Sequence, residues 1–239
     1  GVGGGTAACE RSGLAAHDID EPIAGNVLQA GQGMNPARQV SLNSGVPEGV
    51  PAYTVNKVCG SGMKALGLAW QAIQTRQAER VLAGGIENMS RAPYLLPDLR
   101  SGARLGHTQA LDHLVHDGLT DVFNQYHMGI TAENVAHSYG VLRETQDAFA
   151  AESQARCAAA MDAGRFQEEI APVTVKQRKE EVVVDRDEHP RPGTTAEALG
   201  KLRAAFKGDG SVTAGNSSGI NDGASMMIVA AAEAVPADT

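Results

Sequence analysis

The chain has 239 residues, 42% of them hydrophobic and only 4% aromatic, with 28 glycines. That is enough for one large domain or two small ones, and it suits close packing of helices on a sheet. With 20 basic against 28 acidic residues the formal charge is −8, and the absence of a basic cluster excludes a nucleic-acid partner.

The three cysteines, Cys9, Cys59 and Cys157, lie far apart with no Cys-x-x-Cys spacing. That argues against zinc and a disulfide framework and suits a reducing cytosol. No apolar run approaches the roughly 20 residues of a membrane helix, and no signal peptide is read. The chain opens on Gly rather than Met, inside what reads as a helix over residues 3–12 stopped by Gly13. It is therefore expected to be a fragment.

Asp20 to Leu28 reads as a short strand, with Pro22 tolerated near its start. A turn over Gly31–Pro36 leads to a short helix from Ala37 to Ser44, closed by Gly45. Ala52 to Val58 reads as a strand. Ser61 to Arg76 then reads as a helix, with an apolar stripe of Met63, Leu66, Trp70 and Ile73 at spacings of three and four. Small residues on its other faces predict burial nearly all round. Ala78 to Ile86 is a strand. Strand, helix, strand in this order predicts a right-handed βαβ unit in a parallel sheet.

Residues 90–130, with prolines, glycines and four histidines, read as an excursion from the sheet. A helix follows from Gln146 to Asp162, with Phe149, Ser153, Cys157 and Ala160 on one face. Val173 to Asp187 is charged and strand-like at intervals, and Ala196 to Phe206 reads as helical. Gly219 to Gly223 is a turn before a last apolar strand from Ser225 to Ala232, and Pro236 marks a linker.

The informative stretch is Val58-Cys59-Gly60-Ser61-Gly62, where a strand ends and a helix begins at once. Free N–H groups and the macrodipole at a helix start favour a thiolate. The dipole contributes only roughly 0.3–1 kcal/mol, so a second activating group, a His, is expected. Gly60 and Gly62 clear side chains from the sulfur, so that a thioester can approach and an N–H can face an oxyanion. From this pentapeptide alone, a nucleophile and a cysteine buried for packing are both open readings.

Further motifs share the chain with it. These are Asn35-Pro36-Ala37-Arg38-Gln39; Gly84-Gly85-Ile86-Glu87-Asn88-Met89-Ser90; Tyr126-His127-Met128-Gly129-Ile130-Thr131-Ala132-Glu133-Asn134; and Thr213-Ala214-Gly215-Asn216-Ser217-Ser218-Gly219 running on to Asn221-Asp222-Gly223. In order and spacing, across essentially the whole chain, they resemble the thiolase family. The resemblance implies an α/β thiolase-like fold, of which this chain would be the first βαβαβαββ half without its first strand. Residues 1–89 with 221–239 would form the core domain, and residues 90–220 an inserted loop domain that binds CoA and makes oligomer contacts. By the same resemblance Cys59 is the acyl-accepting nucleophile. Leu119, His127, Met128, Arg191, Leu202, Phe206, Ala214 and Ser218 fall on positions that meet CoA. The Tyr-His-Met-Gly setting of His127 points to the acetoacetyl-CoA branch.

Read from the residues alone, Arg191 between two prolines is a rigid exposed loop position. Ser218 sits in a turn where hydroxyls serve the backbone, and His127 is a structural histidine. His107, His113 and His116 have loose metal-like spacing without a second cluster, and Gly1-Val2-Gly3-Gly4-Gly5 mimics a dinucleotide loop with no strand before it; both are set aside.

The chain departs from the family at Leu142, where a capping hydroxyl is usual, and at Ala198, where a polar residue is usual. The family's second catalytic set (a His, an Asn and another Cys) is expected beyond this chain. So is its first strand, taken as central in the sheet, whose loss would leave ladder groups unpaired on both neighbours and make the fragment unstable and inactive.

The implied reaction uses coenzyme A thioesters as substrates and no cofactor. It is carried out by a cytoplasmic homodimer or homotetramer, with tetramer contacts near Arg100–His116. A β-ketoacyl synthase-like condensing enzyme and a non-catalytic acyl-CoA or lipid-binding homologue are the alternatives.

Overall fold

The computed structural model describes residues 1–176 and 180–235. In chain order the regular elements are α1 (Val2–Ser12), β1 (Glu21–Gly25), α2 (Pro36–Asn43), β2 (Tyr53–Val55), α3 (Ser61–Gln74) and β3 (Arg80–Asn88). Short strands β4 (Tyr94–Leu95), β5 (Leu111–Asp112), β6 (Thr120–Asp121) and β7 (Tyr126–His127) follow. Then come α4 (Met128–Tyr139), α5 (Arg143–Asp162), β8 (Val173–Lys176), β9 (Glu181–Val184), α6 (Ala196–Gly200) and β10 (Asp222–Ala230). They divide into two compact units: Gly1–Gly118 with the chain from Asn221 onward, and Leu119–Ile220.

The first unit is built on a four-stranded sheet in the order β10-β3-β1-β2. β1 pairs parallel with both β2 and β3, Ile23 lying opposite Tyr53 on one side and Ala83 on the other. β10 returns antiparallel to β3 over its whole length, from Asp222 opposite Asn88 to Ala230 opposite Arg80. The alternation of β3 divides the core between the two faces. Val81 and Ala83 meet the Ala65, Ala69 and Ala72 stripe of α3. Leu82 points the other way, to Cys9 of α1, Ile19 and Val46. Both helix ends predicted at glycine hold: Gly13 caps α1 in the left-handed conformation, and Gly45 lies just beyond α2 at φ +89.

Several expectations need correction. No strand is missing from the middle of the sheet, because β1 and β3 each have partners on both sides. The instability argued from unpaired inner ladders therefore does not apply to these strands. The apolar stripe of α3 is only half on its buried face: Leu66 and Ile73 pack half-buried against the core, Met63 is 80% and Trp70 59% exposed, and the fully buried residues are the alanines one step round the helix. Only small side chains let α3 lie this close to the glycine-rich ends of β1 and β3. The strand expected over Ala52–Val58 spans only Tyr53–Val55, because the chain turns at Val58. The helix expected from Ala196 to Phe206 stops at Gly200.

The second unit holds α4, α5 and α6 with two antiparallel ribbons, β6-β7 and β8-β9. On the face of α5 predicted from Phe149, Phe149 and Ser153 are exposed and Cys157 and Ala160 half-buried, and the buried residue of the helix is Asp147. Residues 177–179 and the linker at Pro236 lie outside the described residues. No helix among the described residues is long and apolar enough to cross a membrane.

Candidate active site

Cys59 is exposed, in the turn between β2 and α3. Gly60 is the N-cap, so the sulfur-bearing residue sits one step before the cap. The turn is tightly hydrogen-bonded: Gly60 N donates to Lys57 O and Ser61 N to Val58 O, each at 3.1 Å. These two donors are thus engaged within the turn rather than free for an oxyanion. Val58, directly before Cys59, has φ +47, a conformation uncommon for any residue with a Cβ and an outlier for a β-branched one.

The glycines around the turn serve packing. A Cβ on Gly25 would overlap the backbone of Ser61 and lie 2.5 Å from Gly62 N, and one on Gly62 would meet Gly85 Cα at 3.5 Å. β1 therefore presses on the first turn of α3 with no room for a Cβ at Gly25, while Gly62 lies in ordinary contact with Gly85 of β3.

Two motifs that carry the resemblance brace the same region. The Asn35 side chain caps α2, accepting from Arg38 N at 3.2 Å and from Thr54 Oγ1 at 2.9 Å while donating to Ala52 O at 2.9 Å. It ties α2 to the strand that leads to Cys59. Glu87, at the end of β3, accepts from Asn26 Nδ2 at 2.8 Å, Val27 N at 3.0 Å and Leu28 N at 3.2 Å, closing the loop after β1. Asp222 accepts from Ser90 N at 2.9 Å and the Ser90 hydroxyl at 2.5 Å. These two bonds hold the Asp222 carboxyl below the usual aspartate range. His113 is engaged structurally, its Nδ1 2.7 Å from Asp117 Oδ2 and its Nε2 accepting from Ala30 N.

The eight residues assigned to CoA all lie in the second unit. His127 stacks on Phe206 with ring centroids 4.8 Å apart, and its Nδ1 accepts from Gly129 N at 2.9 Å as the cap of α4. An accepting Nδ1 carries no proton, so the neutral ring bears its hydrogen on Nε2. A Cβ on Gly129 would overlap the Phe206 ring, which explains the glycine in Tyr-His-Met-Gly. Leu119 directly precedes β6, whose Thr120 pairs with His127. Met128 is exposed in the first turn of α4.

Leu202 packs against the 213–216 turn, where a Cβ on Gly215 would lie 2.5 Å from its Cδ1. Ala214 and Ser218 are exposed at that turn, and Ser217, not Ser218, serves the backbone by donating to Thr213 O at 2.6 Å. Arg191 is anchored elsewhere, its N–H donating to Gln154 of α5 at 2.8 Å beside a groove of about 330 Å³ lined by Val182, Val184, Pro190 and Pro192.

Sequence reasoning missed what holds the 211–218 turn. Glu133, 9% exposed, accepts from Ser211 N, the Ser211 hydroxyl and Val212 N at 2.8–3.0 Å. Burial pushes its pKa up, but these hydrogen bonds and the charge of Lys207 outweigh burial, and the carboxyl titrates below the usual glutamate range. Buried Asp147 joins Arg143 at 2.7 Å and Asn216 at 2.9 Å, and Arg143 also donates to Leu199 O and Leu202 O. A lone Glu within the otherwise weakly charged α4 was the available signal.

The family profile of the thiolase N-terminal domain matches residues 4–233. The chain belongs to the thiolase family. It is 57% identical over 224 residues to an acetyl-CoA acetyltransferase of Pseudomonas aeruginosa, covering 93% of this chain and 57% of that protein. It is 59% identical over 220 residues to an acetyl-CoA acetyltransferase of Allochromatium vinosum, covering 92% and 56%. The crystal structure of the Bacillus anthracis acetyl-CoA acetyltransferase superposes with a TM-score of 0.91 at 41% identity, covering 98% of this chain and 59% of that one. The fold is thus the N-terminal half of a thiolase, and the chain spans a little over half the length of the relatives it matches. In this thiolase half, the motifs at residues 35–39 and 84–90 serve the support of the Cys59 turn, and those at 126–134 and 213–219 shape the His127 and Asn216 regions of the second unit.

Proposed function

We propose that the protein is an acyl-CoA acyltransferase that forms or cleaves a β-ketoacyl-CoA such as acetoacetyl-CoA through an acyl-Cys59 intermediate. The observation that carries this reading is the exposed Cys59 on a strained turn at the head of α3. The Cys59 thiolate attacks the thioester carbonyl, a C–S bond forms, and CoA leaves as its thiol after taking a proton. The enolate of an acetyl-CoA then attacks the acyl-Cys59 carbonyl. The new C–C bond expels the thiolate and yields the β-ketoacyl-CoA; the reverse is thiolysis.

In this reading Cys59 takes the acyl group, and other residues of the protein abstract the α-proton. His127, Phe206, Met128, Leu119, Leu202, Ala214, Ser218 and Arg191 contact the CoA moiety, in a cytosolic homodimer or homotetramer. The names of the relatives favour CoA thioesters over a carrier-bound malonyl donor.

The test is peptide mass spectrometry after exposure of the complete protein to acetyl-CoA. One acetyl group is expected on Cys59; label confined to Cys9 or Cys157 overturns the assignment.

A further inference from the structure

The residue before the nucleophile is the most strained non-glycine position in the first unit: Val58 is β-branched, has φ +47 and is 51% exposed. Little burial rewards that conformation, and such a residue keeps it only where its surroundings over-determine it. The surroundings are specific. Asn56 Oδ1 accepts from Val58 N at 2.9 Å. The Ser61 hydroxyl accepts from Lys57 N at 2.8 Å and donates to Val58 O at 2.5 Å, so it clamps the Lys57–Val58 pair from the Asn56–Lys57 peptide to the Val58–Cys59 peptide. Ser61 is itself 4% exposed and is held against the backbone of β1, where Gly25 leaves no room for movement.

We infer that Ser61 is a positioning residue for Cys59: its bridging hydroxyl locks Val58 in the left-handed conformation, and that lock aims the thiol out of the turn. The inference rests on the reading of Cys59 as the nucleophile. Without the bridge, Val58 relaxes toward its ordinary extended range, and the Cα–Cβ direction of the next residue swings with it. An Asn in place of Val58 tolerates the left-handed region unaided, so the bridge then matters far less.

The experiment follows the rate of Cys59 acetylation by acetyl-CoA in the complete protein, per folded molecule. Ser61→Ala is expected to slow acetylation roughly tenfold to a hundredfold at saturating acetyl-CoA, the range for a small misplacement of a reacting group. The half-saturating concentration should stay nearly unchanged. In a Val58→Asn background the same Ser61→Ala change should cost several-fold less. Asn56→Ala, at an exposed position that folding tolerates, should give a smaller loss that Val58→Asn also relieves. Alkylation of Cys59 by iodoacetamide should follow the same order of variants, and it reads the turn without acyl transfer. Equal losses in both backgrounds, or no loss in folded Ser61→Ala and Asn56→Ala proteins, overturns the inference. Failure of the unmutated protein to acquire acetyl on Cys59 overturns the acyltransferase reading instead, while the alkylation series still decides the role of Ser61.

Discussion

The two units are held together by different materials. In the first, backbone meets backbone: Gly25 lies on Ser61 and Gly62, Gly62 on Gly85, and an alanine stripe of α3 lies on Val81 and Ala83. In the second, the turn that carries Ala214 and Ser218 hangs on two buried carboxylates, Glu133 and Asp147, with Arg143 and Asn216 completing the network. Close apolar contact fixes a position through volume, which relaxes little on mutation. A carboxylate network fixes it through hydrogen bonds, whose strength depends on pH. The two units should therefore fail in different ways.

The largest effect is expected in the first unit. Gly25→Ala places a Cβ into the backbone of Ser61 and Gly62, and neither rigid element yields by a side-chain rotation. A destabilisation of about 3 kcal/mol or more is expected, at the upper end of overpacking costs, together with slower acylation of Cys59. Denaturant melts compared with the unmutated protein check it; a loss under about 1 kcal/mol would show that β1 and α3 are not in tight register.

How much of this was legible follows the same division. The parallel sheet, the place of α3 and the Cys59 turn were readable, because period, glycine punctuation and motif spacing act locally. The buried face of α3 was misread: large residues at 63, 66, 70 and 73 and small ones at 65, 69 and 72 both follow helical spacing, and the distance to β3 decides between them. Val58 gave no signal, since a β-branched residue speaks for a strand. The links from Glu133 to Ser211 and Val212 and from Asp147 to Asn216 were hidden as well, because these partners lie 69–79 residues away in sequence.

A middle-sized effect is expected for Glu133→Gln. The amide keeps one acceptor but turns an N–H₂ toward the donors at Ser211 and Val212, at a cost of about 2 kcal/mol near neutral pH. The sign with pH follows from the lowered carboxyl. A group whose folded pKa lies below its unfolded value stabilises above the unfolded value and loses that contribution as pH falls through the folded one. The gap between the unmutated protein and the variant should be full above about pH 5, where unfolded glutamates are ionised, and close as pH falls through the lowered folded value. Urea midpoints across that range measure it. A gap that persists in acid would assign the effect to shape rather than to charge, and would erase the contrast between the units.

The smallest effect is a gain. Leu142 is the N-cap of α5, in extended conformation, 65% exposed and without a capping side-chain bond. Ser in its place accepts from an N–H of the first turn and gives up little burial, so Leu142→Ser should stabilise the second unit by about 1 kcal/mol, within the range for caps. Because α5 carries both Arg143 and Asp147 in its first turns, a firmer start to the helix also steadies the carboxylate that holds Asn216. Leu142→Ser combined with Glu133→Gln tests that coupling. If the cap acts only on α5, the two changes add; if it acts through the network around Ser211 and Asn216, they depart from additivity by more than about 0.5 kcal/mol. The same cap should leave a Gly25→Ala protein as unstable as before, since the contacts of Gly25 lie on Ser61 and Gly62 within the first unit and the cap acts on α5 of the second.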